Sequence, residues 1–277
     1  MNTDELDRKA NWVRRKALEM CISAGRGHLG GTFSCVEILV ALYYGGILNV
    51  SPLLKNNTNR DRVIFSKGHA MLGLYAILGD LGFFDVGELE NCGKNGTILG
   101  DHPDHLIPGI EISSGSLGHG LSIACGLALS AKMNKSNFLT VVILGDAECN
   151  EGSVWEAAMF GQNHQLNNLI AVIDNNKIGA SDFTMNFSGS ALMENKWQAF
   201  GWRTIKVDGH NFKDILSGFE RAKQPTDKPT AIIAETIKGK GVSFMENNSN
   251  WHHGAPKGEF AAKARQELTY QENENAS

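Results

Sequence analysis

Phe138-Leu139-Thr140-Val141-Val142-Ile143-Leu144-Gly145-Asp146 is a nearly unbroken apolar run closed by Gly-Asp, and Leu169-Ile170-Ala171-Val172-Ile173-Asp174-Asn175-Asn176 repeats the pattern with a different polar ending. Apolar runs without alternation, rich in β-branched residues, read as strands buried on both faces, which is the habit of parallel sheets covered by helices. Between the two runs, roughly Ser153 to His164 has helical spacing. Working outward, a helix is predicted near 190–200, a strand near 203–207, a helix near 211–223 and a strand at 230–236. Upstream, Leu6, Ala10, Val13, Ala17, Leu18 and Cys21 repeat at helical intervals over 4–24, and the Gly-rich segment Gly25–Gly31 breaks that helix. Ser34, with Glu37 three residues on, reads as a capping box opening the next helix. The turn Ser66-Lys67-Gly68-His69 precedes an apolar helix from Ala70 to Leu81, residues 85–115 look irregular, and a helix of small residues runs from Leu117 to Met133. The fold class is therefore α/β, a doubly wound parallel sheet with helices on both faces and right-handed crossovers. It is expected as one domain over 1–270, with 271–277 a disordered polar tail.

Composition narrows the function classes. The 277 residues are 42% hydrophobic and 20% charged, a globular balance. A net charge of −4 gives no basic footprint for nucleic acid. No apolar run reaches the roughly 18 residues of a membrane span. The start, Met1-Asn2-Thr3-Asp4-Glu5, is polar and acidic, unlike a secretory signal, so a cytoplasmic location is expected. The five cysteines are odd in number and form no C-x-x-C pair, which argues for reduced thiols rather than a disulfide framework or zinc ribbon. Cys149 reads as a small filler beside a turn, and Trp155 and Phe160 as core.

Ligands of open parallel sheets bind beyond the carboxyl ends of the strands. Two such ends carry Gly145-Asp146-Ala147-Glu148-Cys149-Asn150-Glu151-Gly152 and Asp174-Asn175-Asn176-Lys177-Ile178. A carboxylate and an amide oxygen are hard ligands of the kind Mg²⁺ takes, one or two from protein and the rest from phosphate and water. Glycine lets backbone approach a phosphate, and a following helix N-terminus favours an anion. A lone Gly-Asp could be just a helix cap; Gly-Asp and Asn-Asn after two neighbouring buried strands is a stronger signal. Neither G-x-G-x-x-G nor the P-loop pattern occurs.

Gly145-Asp146 through Asn175-Asn176 is similar to the thiamine-diphosphate motif, which opens with Gly-Asp-Gly and closes with Asn-Asn. The surrounding segments resemble those of transketolases: Gly27-His28-Leu29-Gly30-Gly31, Ser66-Lys67-Gly68-His69, Gly100-Asp101-His102-Pro103, Ser114-Gly115-Ser116-Leu117-Gly118-His119-Gly120 and His253-Gly254-Ala255-Pro256, in family order and over nearly the whole chain. The resemblance implies thiamine diphosphate and Mg²⁺, with Ca²⁺ or Mn²⁺ as substitutes. Asp146, Asn176 and the carbonyl of Ile178 would bind the metal. Gly145 and Ala147 would line the diphosphate, and His69 and His253 would contact diphosphate and donor sugar. His28 and His102 would bond substrate hydroxyls and help move protons, as imidazole suits near neutral pH. Ser116, Leu117 and Gly118 would border the cofactor's rings. Glu151 would connect with a glutamate of a partner, and Glu148 and Asp174 would support the site. His119 stands where many members have Gln, and His105, His164, His210 and His252 read as structural or solvated.

Two departures matter. Ala147 replaces the second glycine of the motif, harmful if that backbone needs positive φ and mild otherwise. A full transketolase continues into a pyrimidine-binding and a third domain, so the resemblance implies the N-terminal subunit of a split enzyme. It would pair with a C-terminal subunit, in an α2β2 heterotetramer, to transfer a two-carbon ketol unit between sugars or sugar phosphates, as in the pentose phosphate pathway. Two alternatives stay open here: a subunit specialised for an unusual sugar in a dedicated pathway, and a non-catalytic cofactor-binding or scaffolding half.

Overall fold

A computed structural model of the chain describes residues 1–54, 57–189 and 192–274. Its elements are α1 (Thr3–Ala24), α2 (Leu29–Ser34), α3 (Val36–Tyr44), β1 (Arg62–Phe65), α4 (Leu72–Asp80), α5 (Gly120–Met133), β2 (Thr140–Gly145), α6 (Gly152–Asn163), β3 (Leu169–Asn175), α7 (Thr184–Ser188), α8 (Met193–Ala199), β4 (Arg203–Asp208), α9 (Phe212–Ala222), β5 (Thr230–Glu235) and α10 (Glu259–Glu274). The five strands form one sheet in the order β1-β2-β3-β5-β4. Every pairing is parallel, and Gly145 lies in register with Asp174.

The unbroken apolar strands are buried on both faces, as doubly covered strands must be. Val141, Ile143, Ile170, Val172, Ile232 and Ala234 join a core with residues of α1, α3, α4 and α9. Their neighbours Val142, Leu144, Ala171, Ile173, Ala231 and Ile233 join a second core with α5, α6 and Trp197 of α8. Consecutive residues thus serve opposite cores, the period of a pleated strand. The sheet is pinned between two hydrophobic layers, so the loops at its carboxyl end start from rigid positions.

Several sequence expectations change. β1 is a strand that periodicity missed, since its four residues sit between charged and Gly-rich segments. The Gly-rich break contains a short helix, α2, and α10 was not anticipated. α10 is helical through Glu274, into the tail expected to be disordered, and 275–277 lie outside the described residues. The capping box is made by Asn2 and Glu5 at the start of α1, through Glu5 N donating to Asn2 Oδ1 at 2.9 Å and Asn2 N donating to Glu5 Oε2 at 2.8 Å. Ser34 does not cap α3: it is the last residue of α2, Cys35 holds the N-cap position, and the Ser34 hydroxyl donates to the buried Asp174 Oδ2 at 2.5 Å. Glu37 is instead buried against Arg14 at 2.7 Å and His210 Nδ1 at 3.0 Å. Phe160 is not core; it is 39% exposed on α6. Among the described residues no helix is long and apolar enough to cross a membrane.

Candidate active site

Two buried carboxylates hold the strand-end loops together. Asp174, at the end of β3, is fully buried and accepts from Ser34 Oγ, Lys67 Nζ, Thr236 Oγ1 and Asn176 Nδ2. These donors come from α2, the loop after β1, the loop after β5 and β3's own loop. Burial opposes the charge on Asp174, but the Lys67 ammonium and the hydrogen bonds outweigh it and hold the carboxyl below its ordinary range. Lys67 Nζ also donates to Gly31 O at 2.9 Å. Glu148, after β2, accepts from Ser66 Oγ, from Gly118 N at 2.9 Å and from Gly145 N at 3.0 Å. A side chain on Gly118 would lie 2.6 Å from Glu151 Cβ, and its φ of 84° is the left-handed conformation glycine tolerates.

Above this base is a cleft of about 220 Å³ lined by Asp146, Asn176, Ile178, His28, His69 and Leu117 among others, including Gly145 and Ala147. Asp146 is 3% exposed. It accepts from Ala147 N at 2.8 Å and Lys177 N at 2.5 Å, and among the described residues no cation pairs with it. Burial, reinforced by Asp174, pushes its carboxyl up to about 6. A buried carboxylate facing a cleft with no cation in contact, though Lys67 and Lys238 line the same cleft, leaves room for a divalent ion. No three His, Cys, Asp or Glu side chains gather as a metal cluster among the described residues. The oxygens at hand are instead a mixed hard set, Asp146 Oδ, Asn176 Oδ1 and Ile178 O, which fits a small ion that completes its shell with phosphate and water; here Asn176 Oδ1 accepts from Ile178 N at 3.1 Å and Ile178 O from Lys238 Nζ at 3.0 Å, a contact an ion would have to share or displace. Lys177, between the last two, has φ 66°, an unusual value for a residue with a side chain, and its two neighbours both line the cleft. Ala147 sits at φ −64°, ψ −35°, an ordinary right-handed conformation, so its methyl causes no backbone strain.

The histidines gather as expected. The His28 ring centroid is 5.1 Å from His69, 4.6 Å from His253 and 6.5 Å from His102. Burial, with the neighbouring His253 and His102, lowers His28 to about 4; burial and the Lys67 charge lower His69 to about 2. Both are neutral near pH 7, and burial makes both weak bases. His102, His253, Ser116 and Glu151 are exposed and lie outside the cleft lining. Gly118 is buried beneath them.

Sequence reasoning missed three residues here. Lys67 lies inside the Ser66–His69 turn, and no role was expected of it. Lys238 follows β5, and the strand-end rule that found Asp146 would have found it in Lys238-Gly239-Lys240-Gly241. His252, read as structural or solvated, lines the cleft, with its ring 5.3 Å from His28 and 5.4 Å from His69. By contrast His210 is structural as read: Ile237 N donates to its Nε2 at 2.8 Å. Cys149 is buried, and burial pushes its thiol well above the ordinary range, so it is no nucleophile at neutral pH.

The thiamine diphosphate binding domain of transketolases matches residues 6–276 of this sequence. The chain belongs to the transketolase family. One of the two-part transketolases it resembles is the apulose-4-phosphate transketolase of Phocaeicola vulgatus. The matching subunit of that enzyme is 39% identical over 269 residues, covering 97% of this transketolase chain and 95% of that protein. The SqwG subunit of the 6-deoxy-6-sulfo-D-fructose transketolase of a Clostridium species is 40% identical over 250 residues, covering 90% of each. The crystal structure of Campylobacter jejuni transketolase superposes with a TM-score of 0.89 at 29% identity. It covers 97% of this chain, which spans only 43% of that one. The chain thus carries the thiamine diphosphate binding domain of the transketolases, a family of transferases.

Proposed function

We propose that this subunit binds the diphosphate of thiamine diphosphate through a divalent ion, Mg²⁺ or in its place Ca²⁺ or Mn²⁺, and completes its active site with a C-terminal subunit carrying the pyrimidine-binding domain. The observation that carries this reading is the meeting of Asp146, Asn176 and Ile178 with two neutral histidines in one cleft at the strand ends. Asp146, Asn176 Oδ1 and Ile178 O would hold the ion, and Gly145 and Ala147 would flank the diphosphate. Thiamine diphosphate, when bound, supplies the carbanion chemistry for moving a two-carbon ketol unit from a ketose or its phosphate to an aldose or its phosphate. The chain's part is to orient and to move protons. The neutral rings of His28 and His69 can hydrogen-bond a sugar hydroxyl, and His102 and His253 stand next to them at the rim, where a proton could be passed on. Exposed Ser116 and Glu151, with half-buried Leu117, present the face that a partner would cover, Glu151 meeting a partner carboxylate. Active sites between chains favour an α2β2 assembly in the cytoplasm.

A second reading concerns the sugar. The relatives of matching length are named for apulose-4-phosphate and for 6-deoxy-6-sulfo-D-fructose rather than for the common pentose phosphates. That favours a specialised donor over a role in the pentose phosphate pathway. The decisive experiment mixes the purified chain with its candidate partner and assays a panel of ketoses with thiamine diphosphate and Mg²⁺. Activity should appear only in the mixture and vanish in Asp146→Ala. Turnover by either chain alone, or full turnover by the variant, would refute the proposal.

A further inference from the structure

A second cavity, of about 170 Å³, lies apart from the cleft and shares no lining residue with it. Much of its wall is apolar: Val50 after α3, Val63 of β1, Phe83 after α4, and Pro108. Gly109 adjoins them at φ 92°, and a side chain there would come within 2.8 Å of Leu78 and Phe83, so this turn is pressed onto its neighbours. The polar end holds Tyr43, Arg60 and Glu111. Arg60 and Glu111 meet fork to fork, Nη1 donating to Oε1 and Nη2 donating to Oε2 at 3.0 Å. Two charges paired in this way cancel within the wall. The Tyr43 hydroxyl, by contrast, makes no hydrogen bond among the described residues. Burial, with Glu111 close by, pushes this phenol up, so it stays protonated and can both donate and accept.

An apolar cavity of about 150 Å³ is enough to take up benzene. This one is of that size, and its polar end selects further. An anion would compete with Glu111 for Arg60, and a cation with Arg60 for Glu111, each at the cost of a charged, two-bond pair. A neutral molecule leaves the pair intact. A purely apolar ring leaves the Tyr43 hydroxyl without a partner, whereas a ring with one hydroxyl supplies it. We propose that this cavity is a binding site for a small neutral ring of the phenol class, its hydroxyl bonded to Tyr43 Oη and its ring against Val63 and Phe83. Pro108, Gly109 and Glu111 lie in the stretch that joins His102 to Leu117, so the occupant rests on a loop that also serves the cleft. The site does not depend on what the cleft binds.

The test uses the full chain, ¹⁵N-labelled, with three probes: p-cresol, toluene, which lacks the hydroxyl, and p-toluate, which is an anion. Amide shifts should place p-cresol at Val50, Val63 and Gly109 and leave Gly145 and Ala147 of the cleft unmoved. p-Cresol should bind about fivefold more tightly than toluene, the worth of one neutral hydrogen bond. p-Toluate, which must break the Arg60–Glu111 pair, should bind about tenfold more weakly than p-cresol. Tyr43→Phe removes a hydroxyl that has no protein partner, so its melting temperature should hold while its affinity for p-cresol falls to that for toluene. Val50→Trp should fill the cavity and abolish binding of both; if it fails to fold, the Tyr43→Phe comparison decides. No p-cresol binding at millimolar concentration, shifts confined to the cleft or scattered over the surface, p-toluate binding as tightly as p-cresol, a preference for p-cresol that survives Tyr43→Phe, or a folded Val50→Trp that still takes p-cresol would each overturn the proposal. None of these readings involves thiamine diphosphate, so failure here leaves the cofactor reading standing, and the reverse also holds.

Discussion

Lys67 and Asp174 form an ion pair beneath the cleft, with side chains 2% and 0% exposed. Buried pairs stabilise little against a hydrophobic replacement of both partners, but removing one partner strands the other charge. Lys67→Met should destabilise the chain by about 3–5 kcal/mol. Urea unfolding measures it, and a loss under about 1 kcal/mol would mean that Asp174 finds another partner. Because Asp174 also gathers Ser34, Thr236 and Asn176, the variant should loosen the loops after β1, β3 and β5 together. Amide exchange would show those loops opening as one unit.

Asp146 should control the response to metal. A ligand that binds only the folded state raises the melting temperature with its concentration. The native chain should be stabilised by thiamine diphosphate with Mg²⁺, and Asp146→Ala should not be, though it stays folded. An unchanged thermal shift in the variant would remove Asp146 from the ion's shell.

Ala147 offers a test of whether the motif's second glycine is a backbone need. At φ −64° the position asks nothing of glycine. Ala147→Gly should leave affinity for thiamine diphosphate within about threefold and lower stability by about 0.5–1 kcal/mol, through the extra freedom of the unfolded chain. A large gain in affinity by calorimetry would show that the methyl crowds the diphosphate.

The buried imidazoles predict a direction for acid sensitivity. His28 and His69 lie at about 4 and about 2 when folded, against an ordinary 6.5. The unfolded chain therefore takes up protons first, so their contribution is complete above pH 6.5 and lost as pH falls, toward 4 for His28 and toward 2 for His69. Asp146, raised from 3.8 to about 6, acts the other way: its contribution is present below 3.8 and lost as pH rises through about 6. Unfolding free energy of His28→Gln should fall less steeply than that of the native chain between pH 6.5 and 5. A parallel fall in both would show that His28 is charged in the folded state.

The sheet was legible because β2 and β3 are long, apolar and closed by unusual polar residues, a local signal that a sequence carries openly. β1 was not, since Arg62-Val63-Ile64-Phe65 is too short for a period to show and becomes a strand only by pairing with β2. Asp146, Asn176 and Ile178 could be placed by the strand-end rule, and the structure brings them into one cleft. Ser34 misled because a hydroxyl three residues before a glutamate has the same pattern whether it caps a helix or meets a carboxylate 140 residues away. Which of His252 and His253 faces inward depends on Lys238, and no spacing rule carries that contact.

The reversed backbone at Lys177 has a kinetic consequence. Holding a non-glycine residue there costs on the order of 1 kcal/mol, and the fold sustains it before any ion arrives. The Asn176 amide and the Ile178 carbonyl on either side are held in place in advance, so capture of the ion requires no refolding of the loop, only the yielding of the Lys238 contact on Ile178 O. Its rate is then set by how quickly the ion sheds water, and an ion that sheds water faster than Mg²⁺ should be taken up faster by the same unmoving oxygens.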